Sequence, residues 1–119
     1  MHLRSTWLAV TFGGAISLAG CAGVPLPREQ LSDPGGLLYN GYANPKVDCY
    51  RCHNGDGRGA WGPSLLTKVP KLSEEKIVQV IQKPKGFMPK YGGKMSDEEM
   101  FEVARWLKAT MRPAPPVTR

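Results

Sequence analysis

No stretch of this sequence is long and apolar enough to cross a bilayer. The most apolar run, from Trp7 to Leu18, is short and broken by Gly13 and Gly14, whereas a spanning helix needs about 20 apolar residues. Strand signals are weak throughout and there is no internal repeat, which excludes sheet and solenoid architectures. Acidic residues are few, 10 against 16 Lys and Arg, and the formal net charge is +6. The basic residues are scattered and form no nucleic-acid motif, so nucleic acid is set aside. An anionic membrane and an acidic protein remain as partners for that charge. Histidine and cysteine are scarce, at 2 and 3 in 119 residues, a length that holds one domain.

Glycine and proline are abundant, at 14 and 11, which predicts loops joined by short helices. The first helix has Asp33 as N-cap and Pro34 in its first turn, passes through Leu37, Leu38 and Tyr39, and stops at Gly41. The second starts at Ser73 with Glu74 and Glu75 in its first turn. Ile77, Val80 and Ile81 form a stripe on it, Leu72 meets Ile77 as a staple, and Pro84 ends it. The third opens with the capping box Ser96/Glu99 and runs an apolar face through Met100, Val103, Ala104 and Leu107 to stop before Pro113. The fold class is small and all-α, with about three to four short helices and long loops.

Residues 1–20 read as an export signal: Arg4, then the apolar run, then small residues. The ending Leu18-Ala19-Gly20-Cys21 resembles the lipobox of bacterial lipoproteins. That resemblance implies a diacylglyceryl thioether on Cys21 and an acylated new N-terminus, and several acyl chains hold a protein on a membrane stably. Ala22 in place of aspartate leans toward the outer membrane, and the domain belongs on the periplasmic face. Residues 21–32 read as the lipidated cysteine and a flexible tether reaching roughly 35–40 Å. Residues 33–111 form the domain, and 112–119 form a proline-rich disordered tail.

The stretch "DCYRCHNGDG", Asp48 to Gly57, places two thiols three apart with an imidazole beside the second. A disulfide between Cys49 and Cys52 closes a tiny loop and stabilises little. A redox dithiol needs a strand–helix setting that is missing here. A zinc site needs four ligands, and with His2 lost in the signal the chain has only Cys49, Cys52 and His53 to give. Cys-x-x-Cys-His is also the attachment sequence of c-type haem. There the two thiols become thioethers to the porphyrin, and the histidine is placed to ligate iron.

With "CYRCHNGDGRGAWGPSL" and "GFMPKY", the chain resembles the class I c-type cytochromes from Gly35 to about Met111. The resemblance implies one covalent haem c and a first helix packed on a last one. Gly35 or Gly36 with Tyr39 matches the first helix, and Trp106 is the last helix's aromatic. It also implies that the backbone at Gly62-Pro63 accepts a hydrogen bond from His53. For the sixth iron position, Met95 and Met100 form a staple pair around the third helix cap and Met111 lies at a frayed end. Met88 sits on a loop that Pro89 keeps out of helical geometry, and Met88-Pro89 matches the family's axial ligand. Lys83, Lys85, Lys90 and Lys94 surround that loop and suit an acidic docking partner. The expected function is one-electron transfer between redox proteins by a lipid-anchored monohaem carrier, with no catalysis and no small-molecule substrate. The alternatives are a haem subunit of a larger oxidoreductase and a five-coordinate haem sensor or enzyme.

Overall fold

The computed structural model describes residues 22–112. The signal segment, Cys21 and residues 113–119 lie outside the described residues. Among those described there are four α-helices, α1 (Pro34–Tyr39), α2 (Tyr50–His53), α3 (Glu74–Gln82) and α4 (Asp97–Thr110), two short 3-10 turns and no strand. No helix among them is long and apolar enough to cross a membrane.

Local chemistry sets the helix ends. Asp33 Oδ1 accepts the Gly35 N–H at 2.8 Å and Pro34 fills the first turn of α1. The helix closes with a paired stop: Gly41, at φ +76°, donates to the Leu38 carbonyl at 3.0 Å, and Tyr42 donates to Leu37 at 2.9 Å. Ser73 caps α3, whose C-cap Lys83 is bent away by Pro84. At α4 the reciprocal box is complete. Ser96 Oγ accepts from the Glu99 N–H at 3.2 Å, and Glu99 Oε2 accepts from the Ser96 N–H at 2.8 Å. Met95 and Met100 on either side of it are both buried.

Helix α4 is the centre of the packing, with α1 and α3 against it. The α1 crossing is close enough to require glycine. A Cβ on Gly35 would run into the Glu102 carbonyl oxygen and lie 2.7 Å from Trp106 Cβ, and one on Gly36 would lie 2.7 Å from Trp106 Nε1. That approach brings the Tyr39 and Trp106 rings to 5.0 Å between centroids, tilted by 42°. Leu38, Val47, Ile77, Ile81, Val103, Ala104 and Leu107 complete the buried core.

Two segments depart from the sequence expectation. Residues 23–31 lie along the domain instead of leaving it as a tether. The Gly23 N–H donates to Arg51 O, the Leu26 N–H to Asn40 Oδ1, and Leu31 is buried in the core. Asparagine side chains from elsewhere supply partners that this proline-interrupted stretch cannot make for itself. Met111, expected at a frayed end, is 2% exposed, and its N–H donates to Leu107 O. Gly57 leaves the room its side chain occupies.

Candidate functional site

Cys49, Cys52 and His53 are organised by α2, a single turn with Cys49 at its N-cap. So short a helix is not stable alone, and its free carbonyls are taken by the loop that follows. Gly59 donates to His53 O at 2.9 Å, and Ala60 and Gly62 both donate to Cys52 O, at 3.0 and 2.6 Å. The glycines after the motif thus wrap the chain back onto the helix end and answer its unpaired groups.

Cys49 and Cys52 form no disulfide with each other. Burial, the largest cause, pushes the Cys49 thiol up to about 12. A redox dithiol needs the opposite, a thiol lowered toward the thiolate. Among the described residues no three His, Cys, Asp or Glu side chains gather as a metal site requires, so the zinc reading finds no donor set.

His53 Nδ1 lies 2.9 Å from the Pro63 carbonyl oxygen. A carbonyl can only accept, so Nδ1 donates the proton, and in the neutral ring this tautomer leaves the lone pair on Nε2. The same bond fixes the ring orientation and makes Nε2 a stronger donor to a metal. One residue on, the Asn54 carbonyl accepts the Tyr39 hydroxyl at 2.7 Å, tying the site to the α1–α4 crossing.

Beside the histidine is a cavity of about 1110 Å³, larger than the roughly 300–1,000 Å³ of ordinary small-molecule clefts. Cys49, His53, Trp61 and Pro63 line it from the motif side, Leu65, Val69, Ile77 and Ile81 from α3 and the loop before it, Val103 and Leu107 from α4, and Phe87 and Met88 from the loop after α3. Cys52 is not among its lining side chains. Among the described residues Met88 is the one methionine on the lining, while Met95, Met100 and Met111 are buried in the core. The Met88 loop is held from behind: the Tyr91 hydroxyl donates to Asp48 Oδ1 at 2.8 Å, and Asn44 Nδ2 donates to Lys94 O at 2.9 Å.

The charged rim differs from expectation. Lys83 and Lys85 are on it, joined by Lys68 and Lys76, and among the described residues no carboxylate lines the cavity. Lys90 is not on it, and the Lys94 ammonium turns onto the Tyr91 ring, 5.1 Å from its centroid. Lys68 and Lys76 lie far from the Met88 loop in sequence, and only packing brings them to this edge. Asp48, Asn54 and Tyr91 were also missed. They bear on the site through long-range bonds, which leave no local signal.

A large, mostly apolar cavity with two nearby thiols, a histidine oriented through Nδ1 and one thioether suits a flat porphyrin with a central metal. Fold and site together define a class I monohaem c-type cytochrome. Residues 38–107, more than half of the 119, match the family described as cytochrome c oxidase, cbb3-type, subunit III, and the chain belongs to that family. The chain accordingly carries covalently bound haem c. It is similar in structure to cytochrome c6 from the diatom Phaeodactylum tricornutum, with 28% identity, 66% of this chain and 91% of that one covered, and a TM-score of 0.53. A c-type cytochrome named NirC also aligns, at 24% identity over 75% of this chain and 100% of the other, with a TM-score of 0.49. No curated protein matches the chain.

Proposed function

We propose that the protein is a membrane-anchored carrier of single electrons between redox proteins, with His53 and Met88 as axial ligands and Cys49 and Cys52 as the attachment points of its haem. The observation that carries this reading is that His53, its Nδ1 on the Pro63 carbonyl, and Met88 line one cavity. When bound, the haem supplies one-electron cycling of its iron, at a potential raised by thioether ligation and burial. The chain's own residues do the rest. Pro63 O holds the His53 tautomer. Leu65, Val69, Ile77 and Leu107 exclude water and keep the dielectric low, which favours the less charged reduced state. Filling both axial positions leaves no site for a substrate, which sets aside the five-coordinate sensor or enzyme.

Lys68, Lys76, Lys83 and Lys85 give the mouth of the cavity a single sign. Such a rim steers a partner with an acidic face and makes association salt-sensitive. Acylation of Cys21 on the periplasmic face, with the outer membrane favoured by Ala22, completes the reading. Met88→Ala tests it. The oxidised wild type should show the weak near-infrared band of a sulfur–iron bond and the variant should lack it. An unchanged spectrum and unchanged binding of external ligands would remove Met88 from the iron.

A second reading, the haem subunit of a larger oxidoreductase, is favoured by the family match to an oxidase subunit. A subunit co-purifies with its enzyme at a fixed ratio from native membranes, whereas a carrier does not.

A further inference from the structure

The segment before α1 makes more bonds to the cysteine-motif turn than a spacer needs. Gly23 N–H donates to Arg51 O at 2.7 Å, and Gly55 N–H donates to Val24 O at 2.9 Å. Asn54 Oδ1 accepts the Val24 N–H at 2.9 Å, Asn40 Oδ1 accepts the Leu26 N–H at 2.9 Å, and the Tyr42 hydroxyl donates to Leu26 O at 2.9 Å. The fit leaves no room for a side chain at Gly23. A Cβ there would run into the Tyr50 carbonyl oxygen and lie 2.9 Å from Asn54 Cα. Asn54 holds φ +63° and ψ 154°, a conformation strained for a residue with a side chain. In that conformation its amide oxygen meets the segment.

We propose that Gly23–Leu31 is a clamp that fixes the haem domain flat against an anionic bilayer. The proposal rests on the reading of Cys21 as acylated. From Cys21 to the first clamped residue the chain reaches at most about 7 Å, against roughly 35–40 Å for a free spacer of eleven residues. The clamp ends on Arg51 and Asn54, which flank Cys52 and His53, so the motif turn is held within about 20 Å of the acyl chains. The surface at that end suits headgroups. Val24 is 69% and Tyr42 42% exposed, with Arg28, Glu29 and Arg51 exposed on the same strap and turn. A tyrosine ring suits the interfacial level of a bilayer, and a guanidinium suits phosphate. Arg51 keeps a loose pair with Asp48, Nε to Oδ2 at 3.4 Å, and its side chain is still 65% exposed. A domain so held moves in two dimensions and serves partners whose redox centres lie close to the membrane surface.

The test uses the full holo protein in vesicles of phosphatidylethanolamine and phosphatidylglycerol carrying a headgroup fluorophore, which the haem quenches by energy transfer. Ten Gly/Ser residues inserted between Cys21 and Ala22, outside the domain, restore a long leash. The clamp predicts wild-type quenching at least about twofold stronger than that of the insertion variant, with Gly23→Val falling toward the insertion value. Equal quenching by wild type and insertion variant overturns the proposal. Intact mass of the matured protein separates the two readings. A protein without acyl mass ends the lipid reading and the membrane half of the proposal with it. Hydrogen exchange at the Gly23, Val24 and Leu26 amides then still decides the clamp: slow exchange supports it, and exchange at the rate of a free chain overturns it.

Discussion

Removing one oxygen atom from Tyr91 tests how the methionine loop is held. Tyr91 is 3% exposed, and its hydroxyl donates at 2.8 Å to the carboxylate of Asp48, the residue before Cys49. A hydrogen bond to a charged group contributes about 1.5–3 kcal/mol. The Asp48 side chain is 31% exposed and lies 3.4 Å from Arg51 Nε, so water and the guanidinium replace part of what the phenol supplies. Tyr91→Phe should therefore cost about 1.5 kcal/mol, near the lower end, which lowers Tm by about 6–12 °C in a domain of this size. The pH dependence adds an independent reading. Burial, then the bond to Asp48, pushes the Tyr91 phenol far above its usual range. The folded chain keeps this proton above pH ~10 while the unfolded chain loses it. Stability is full below that pH and falls as pH rises past it, by up to about 1.4 kcal/mol per unit for this residue. Tyr39, buried likewise, adds a second slope of the same sign. Thermal unfolding of the ferric holo protein from neutral to alkaline pH should show a shallower fall in Tyr91→Phe than in wild type. A variant with wild-type Tm and the wild-type alkaline slope would refute this account of the loop.

Gly35→Ala places a methyl group against the Glu102 carbonyl, and overpacking at this crossing should cost about 1–3 kcal/mol, read by urea denaturation of the holo protein. An unchanged midpoint would mean that α1 and α4 can separate without penalty. Trp106→Leu keeps apolar bulk but loses the ring pair with Tyr39, and beyond the lost area it should cost a further ~0.5–1.5 kcal/mol. The cycle with Tyr39→Leu measures that share directly. Lys83→Glu with Lys85→Glu should slow association with an acidic redox partner about tenfold at low salt and flatten its salt dependence. Stopped-flow electron transfer at several ionic strengths checks this, and unchanged rates would place docking elsewhere.

The elements read most clearly from sequence are those whose signals are local. The Ser96/Glu99 box, the Asp33 cap with Pro34, and the Ser73 start of α3 are each decided within four residues, and each stands where the pattern puts it. The single turn α2 was invisible because four residues carry no periodicity; it exists because loop amides at Gly59, Ala60 and Gly62 satisfy its end. Residues 23–31 read as a spacer because proline breaks any repeat there, and the partners that hold them, Asn40, Arg51 and Asn54, are distant in sequence. At the site, Cys49, His53 and Met88, singled out by their chemistry in the sequence, all line the cavity. Lys68, Lys76, Tyr91 and Asp48 were not legible in the sequence, since their places there follow from tertiary packing and cross-chain bonds.

The central claim is a porphyrin bound through Cys49 and Cys52 with its iron between His53 and Met88. Peptide mass mapping of protein matured in cells with a haem-attachment system tests it most directly. The account predicts that the peptide spanning Cys49 to His53 carries one tetrapyrrole and no alkylatable thiol. Recovery of that peptide unmodified, with both thiols free, would contradict it.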